Sequence, residues 1–199
     1  ALGKVPDGTM VRRTTAEPGD LLCVTGTIGD AVLGLALLGE SLPAWAEALD
    51  ADAAHRLVHR YRRPEPRLAL APALRRFARA AMDVSDGLVG DAAKMLRASG
   101  VSGMLDLDLV PLSGPARAAL AADATLFDRL VTGGDDYEIL CAVPPDDVDA
   151  LTRAAARAGL PLSPIGRVTD GSGPLSLRRH GGDHVLARAG FQHFGGGAG

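Results

Sequence analysis

Two acidic, glycine-flanked turns hold the residues best suited to chemistry: Asp83-Val84-Ser85-Asp86-Gly87-Leu88 and Gly133-Gly134-Asp135-Asp136-Tyr137-Glu138. Each adjoins an apolar segment short enough to be a buried strand, residues 80–84 before the first and 139–143 after the second. Carboxylates gathered in tight turns repel one another and lose hydration unless positive charge lies between them. A hard divalent cation such as magnesium, shared with a phosphate, takes oxygen ligands and relieves that repulsion. Either turn alone also reads as an acidic surface turn, because Asp and Gly favour turns on conformational grounds. Two of them in one chain favour the chemical reading.

Other candidates carry weaker signals. Gly26-Thr27-Ile28-Gly29-Asp30 falls between a strand-like and a helical segment, where backbone N–H groups can face a phosphate. It lacks the lysine of a P-loop and the third glycine of a dinucleotide fingerprint, so a structural tight turn is the better reading. Asp91, one turn into the helix after the first motif, reads as an exposed or dipole-favoured carboxylate. Arg63 and Arg67 flank a rigid Pro-x-Pro turn and read as salt-bridge partners. His55/His59 and His180/His184 have four-residue spacing, yet neither pair has a third ligand nearby, so solvated faces are expected rather than zinc. Cys23 and Cys141 lie inside apolar runs and read as buried free thiols.

The elements that position these turns follow from periodicity and punctuation. Strands are expected at 21–25, 81–84, 105–109, 137–143, 162–168 and 175–177, the last two joined by Asp170-Gly171-Ser172-Gly173. Helices are expected to about residue 38 after the Gly26 turn, then at 52–61, 71–80, to about 98 after Ser85 or Asp86 as cap, 115–120, 126–131, and from Pro144-Pro145 to 158. The alternation indicates an α/β (α+β) fold, a mixed sheet covered by helices. At 199 residues, 47% apolar and 23% charged, the composition is that of a globular domain. The net charge of -3 gives no reason to expect nucleic acid, and no segment approaches the roughly 20 apolar residues of a membrane helix. No signal sequence opens the chain, which points to the cytoplasm.

The two turns also carry a resemblance. Met82-Asp83-Val84-Ser85-Asp86-Gly87-Leu88 followed by Gly-Gly-Asp-Asp-Tyr-Glu is similar to the carboxy-terminal half of the thiamine-monophosphate kinase family. The stretch from Arg13 to Asp20 running into Val24–Asp30, the Arg63-Pro64-Glu65-Pro66-Arg67 turn and the terminal Gly190-Phe191-Gln192-His193-Phe194 fit the same family in the same order. The wider superfamily includes aminoimidazole ribonucleotide synthetase and a hydrogenase maturation factor.

The resemblance implies transfer of the γ-phosphoryl group of ATP to thiamine monophosphate, with magnesium, in a homodimeric enzyme. It implies that Asp83 and Asp86 hold metal, that Ser85 and Arg13 contact ATP, and that Asp135 and Phe191 contact the acceptor. Many members carry glutamate where this chain has Asp135, so its side chain is one methylene shorter. It further implies that residues 1–15 are the remnant of an amino-terminal ATP-binding domain and its junction. Residues 16–194 would then be the carboxy-terminal domain and 195–199 a disordered tail. On that view the chain alone is expected to show little kinase activity.

Overall fold

The computed structural model describes residues 4–186. Its centre is a mixed sheet of seven strands in the order β2-β4-β1-β5-β3-β6-β7. These are β1 (Leu21–Thr25), β2 (Ala80–Asp83), β3 (Ser102–Asp106), β4 (Ile139–Val143), β5 (Leu162–Thr169), β6 (Ser176–Arg179) and β7 (Gly182–Asp183). The helices are α1 (Asp30–Ala36), α2 (Ala51–Arg62), α3 (Ala71–Phe77), α4 (Leu88–Ser99), α5 (Gly114–Ala122), α6 (Leu126–Thr132) and α7 (Pro145–Arg157).

The central strands β1 and β4 read as continuous apolar runs because both of their faces are covered. Leu22, Val24, Leu140 and Ala142 point to one layer, where Leu88, Ala92 and Met95 of α4 and Phe127 and Val131 of α6 meet them. Cys23, Cys141 and Val143 point to the other, against Leu74 of α3 and Val148, Leu151 and Ala155 of α7. Cys23 and Cys141 are opposite one another in the antiparallel β1–β4 register and are free and buried, as expected. A third cluster joins Leu33 of α1, Leu57 of α2, Ala116 and Ala119 of α5 and Leu130 of α6 around Trp45.

Several expectations shift. The strand anticipated at 105–109 lies earlier, at Ser102–Asp106, and Leu107–Leu109 form a 3-10 turn. The helix expected over 71–80 stops at Phe77, which leaves Ala80 to begin β2. The turn after β5 does not make a hairpin: β6 pairs in parallel with β3, which lies between it and β5. No helix among the described residues is long and apolar enough to cross a membrane.

Candidate functional site

The antiparallel pairing of β2 with β4 sets Asp83 opposite Ile139, so the turn leaving β2 and the turn entering β4 lie at the same end of the sheet. Backbone hydrogen bonds then join them. Val84 N–H donates to the Glu138 carbonyl at 2.8 Å, Tyr137 N–H to the Val84 carbonyl at 2.8 Å, and Asp135 N–H to the Ser85 carbonyl at 3.0 Å. Gly134 permits the closest approach, since a Cβ there would sit 2.2 Å from the Ser85 carbonyl oxygen. Fifty residues apart in sequence, the two motifs form one surface.

The first turn is pinned from within. Asp91 Oδ2 accepts both the Ser85 and the Asp86 N–H, each at 2.9 Å. Its Oδ1 accepts from Lys94 Nζ at 2.9 Å, and the same ammonium donates to Asp86 Oδ2. Asp91 is 1% exposed, which corrects the reading of it as a surface carboxylate. Neither Ser85 nor Asp86 caps α4; the N-cap is Gly87, with no side-chain bond. The capping expectation fails because the turn closes on its own backbone donors through a carboxylate inside the helix. Lys94 is held above its ordinary pKa: partial burial lowers it, and the bonds to Asp86 and Asp91 outweigh that.

The second turn is built on two buried carboxylates. Asp136 Oδ2 accepts the Gly29 N–H at 2.8 Å and its Oδ1 the Ala31 N–H at 3.2 Å. The start of α1 is thus occupied by the chain's own carboxylate, and the Gly26–Asp30 segment is a structural turn. Burial pushes the Asp136 carboxyl up to about 7, against the pull of those two N–H groups; Asp30 adds to the rise and Arg60 opposes it. Glu138 is fully buried and accepts from Thr25 Oγ1 at 2.7 Å, Arg60 at 2.9 Å and both nitrogens of an Arg67 fork. Arg67 also pairs with Glu65, so its structural role is as expected. Gly26 makes room for Glu138, whose Oε1 lies 2.1 Å from where a Cβ would be.

Between these buried supports the exposed chemistry projects outward. Asp135 and Tyr137 both adopt positive φ, 71° and 50°; Asp135 is half-buried and Tyr137 exposed. The Tyr137 phenol is pushed above its ordinary value by the charge of Asp135 first, then by partial burial, a hydrogen bond to Asp135 and the charges of Asp83 and Asp86. Three carboxylates therefore act on one point. Beside them a cleft of about 400 Å³ is lined by Ser85, Asp86, Gly134 and Asp135 on one side and Ala31, Val32 and Leu35 of α1 on the other.

The structure brings together Asp83, Ser85, Asp86 and Asp135. Arg13 is exposed, next to an Arg12 that bridges in parallel to Ala80 at the start of β2; its own carbonyl accepts from Ser99 Oγ. Phe191 lies outside the described residues. His180 is exposed beside Asp108, as expected, whereas His184 is half-buried against Asp128. His55 and His59 stay exposed, their rings 6.3 Å apart. Among the described residues no group of three or more His, Cys, Asp or Glu is disposed to enclose an ion. Two carboxylates, Asp83 and Asp86, match what magnesium takes from a protein when it is shared with phosphates, which is one or two such groups plus water.

The fold and this surface have known counterparts. The model of the AIR synthase related protein, C-terminal domain, matches residues 17–175. The chain belongs to the AIR synthase-related family. Within it, a thiamine-monophosphate kinase of Caulobacter vibrioides is 44% identical over 195 residues, which is 96% of this chain and 53% of the relative. The crystal structure of thiamine-monophosphate kinase from Stenotrophomonas maltophilia K279a superposes with a TM-score of 0.78 at 38% identity, over 90% of this chain and 56% of that one. AaThiL complexed with AMPPCP and TMP gives a TM-score of 0.72 at 29% identity, over 92% and 54%. The chain spans about half the length of the relatives it matches. The mixed, helix-covered sheet expected from the sequence is the fold of these AIR synthase-like relatives.

Proposed function

We propose that this chain supplies the carboxy-terminal part of a thiamine-monophosphate kinase, which moves the γ-phosphoryl group of ATP onto thiamine monophosphate to give thiamine diphosphate. The observation that carries the reading is the joining of the 83–88 and 133–138 turns into one carboxylate-rimmed cleft. Kinship with thiamine-monophosphate kinases, and with a relative that binds AMPPCP and TMP, supports it. A carboxylate at that rim, Asp135, can also pair with a cationic ring such as a thiazolium.

In this reading the acceptor is a phosphate oxygen, ionised at neutral pH and already nucleophilic. A new P–O bond forms at the γ-phosphorus as its bond to the β–γ bridging oxygen breaks, and that oxygen leaves on the β-phosphate of ADP. No side chain has to remove a proton. The barrier is the approach of two anions, and magnesium held by Asp83 and Asp86 would offset their charge. Ser85 and Arg13 are assigned to ATP, Asp135 and Phe191 to the acceptor. Asp91 fixes the backbone of the first turn, and Asp136 and Glu138 fix the second. A homodimer working in the cytoplasm is part of the same proposal.

The test is product formation by the purified full-length protein, given thiamine monophosphate, ATP and magnesium and followed by chromatography. Thiamine diphosphate with stoichiometric ADP supports the reading. Turnover of a different acceptor, with none of thiamine monophosphate, would place the chain with another ATP-dependent activity of the superfamily.

A further inference from the structure

Asp86 already has a cation beside it. Lys94 Nζ donates to Asp86 Oδ2 and, at 2.9 Å, to Asp91 Oδ1. Lys94 and Asp91 are three residues apart on α4 and so share a helix face. Asp91 is buried, and its other oxygen is committed to the Ser85 and Asp86 N–H groups. The lysine is thus tethered at one end to a fixed carboxylate and reaches with the same ammonium to a carboxylate at the cleft. The Lys94 and Asp86 side chains are 33% and 36% exposed, so the contact between them can open to water. The sequence has only Lys4 and Lys94 as lysines among many arginines. Lysine is a compact point charge on a flexible stem, with three donors that are not tied to a fork.

We propose that Lys94 is a resident countercation of Asp86 that a divalent ion must displace, so that it sets how tightly this carboxylate takes metal. The inference rests on the assignment of Asp86 to metal made above. Without an ion, the ammonium offsets the repulsion that Asp83, Asp86 and Asp135 exert on one another. When an ion arrives at Asp86, Lys94 gives up that contact and keeps Asp91, and the turn backbone stays where Asp91 holds it. A lysine that instead served as a phosphate ligand would leave the ion's affinity for the nucleotide-free protein unchanged.

The experiment is a manganese titration of the full-length protein without nucleotide, read by the loss of the free-ion electron paramagnetic resonance signal. Lys94→Met should tighten ion binding by roughly two- to fivefold, the scale of one partly exposed ion pair. Lys94→Arg, which keeps the charge, should stay near the parent, and so should Arg97→Met, which removes an exposed cation from the same helix. In an Asp86→Asn background the gain from Lys94→Met should vanish. Should Lys94→Met fail to fold with Asp91 left unpaired, Lys94→Gln keeps a donor for Asp91 and should give the same tightening. Ion binding that is unchanged or weaker in the neutral variants overturns the inference alone, provided Asp86→Asn weakens binding. An isotherm untouched by Asp86→Asn overturns the metal assignment and this inference with it.

Discussion

The backbone N–H of Asp135 donates to the carbonyl oxygen of Ser85 at 3.0 Å, so a residue assigned to the acceptor and one assigned to the nucleotide share a hydrogen bond. The two ends of the proposed reaction are therefore held in register by main chain. Side chains at the rim that keep their backbone conformation can change without loosening that register, and residues under it cannot.

Gly134→Ala tests the close approach. Its new Cβ would lie 2.2 Å from the Ser85 carbonyl oxygen, and that neighbour is backbone with no flexible end to yield. We expect a loss of about 1–3 kcal/mol in stability, the usual range for overpacking. Denaturant melts measure it, and a variant as stable as the parent would show that the two turns can separate freely.

Asp135 permits a cleaner separation of backbone from charge. Its φ of 71° suits Asn as well as Asp, whereas Ala in that conformation costs about 1 kcal/mol. Asp135→Asn should keep the parent's melting curve and weaken thiamine monophosphate binding, with ATP binding unaltered. Asp135→Ala should lose both stability and binding. Equal acceptor affinity in Asp135→Asn and parent, by calorimetry, would remove Asp135 from the acceptor site.

Asp83 and Phe191 should separate metal from acceptor. Asp83→Asn in the full-length protein should depress turnover strongly, because a ligand and its charge go together. Phe191→Ala should mainly weaken acceptor binding, by about 1 kcal/mol of aromatic packing. Loss of ATP binding in Phe191→Ala, with normal turnover in Asp83→Asn, would reverse these assignments.

Glu138 is the buried hub beneath the site. Replacing it with Gln leaves Arg60 and Arg67 facing a neutral amide in a place with no exposure for Glu138 itself. We expect Glu138→Gln to cost about 3 kcal/mol, as when one partner of a buried pair is removed. The urea midpoint measures this, and a shift equivalent to less than about 1 kcal/mol would mean water reaches the cluster.

Asp136 gives the fold a pH signature. Its carboxyl is raised from 3.8 to about 7 in the folded chain. Between those values the folded state holds a proton that the unfolded state has released, so this group's contribution to stability falls as pH rises through the window. It is fully present below about 4 and lost above about 7. The difference in stability between parent and Asp136→Asn should therefore change across that range and level off at either side. A difference independent of pH from 4 to 8 would show that the two backbone N–H groups, not burial, govern this carboxyl.

Much of this was legible in the sequence where local signals agree with tertiary demands. The apolar runs at 21–25 and 139–143 are strands because both faces are covered. The two motifs that carry Asp83, Ser85, Asp86 and Asp135 stand out in the sequence, and the structure joins their turns into one surface. Asp91 does not stand out: an acid one turn into a helix looks solvated until its partners, two N–H groups five and six residues earlier, are seen to fold back on it. The shift of β3 has a similar cause. Leu105, Leu107 and Leu109 alternate like a strand, but pairing with β5 and β6 ends at Asp106, whose side chain accepts from the Asp108 N–H and turns the chain. Nothing near β6 announces that its partner is β3, some seventy residues back.

The order of the sheet also governs when the cleft can exist during folding. β1 is the first strand among the described residues, yet its neighbours are β4 and β5, and β2 likewise waits for β4. Closing such long loops carries an entropic cost before any pairing rewards it, which places refolding among the slower, milliseconds-to-seconds class. On the ribosome the earliest strands have no partner in this sheet until residues 139–143 emerge. The carboxylates of the first turn therefore spend the early life of the chain apart from those of the second, and the site closes only when β4 slots between β2 and β1.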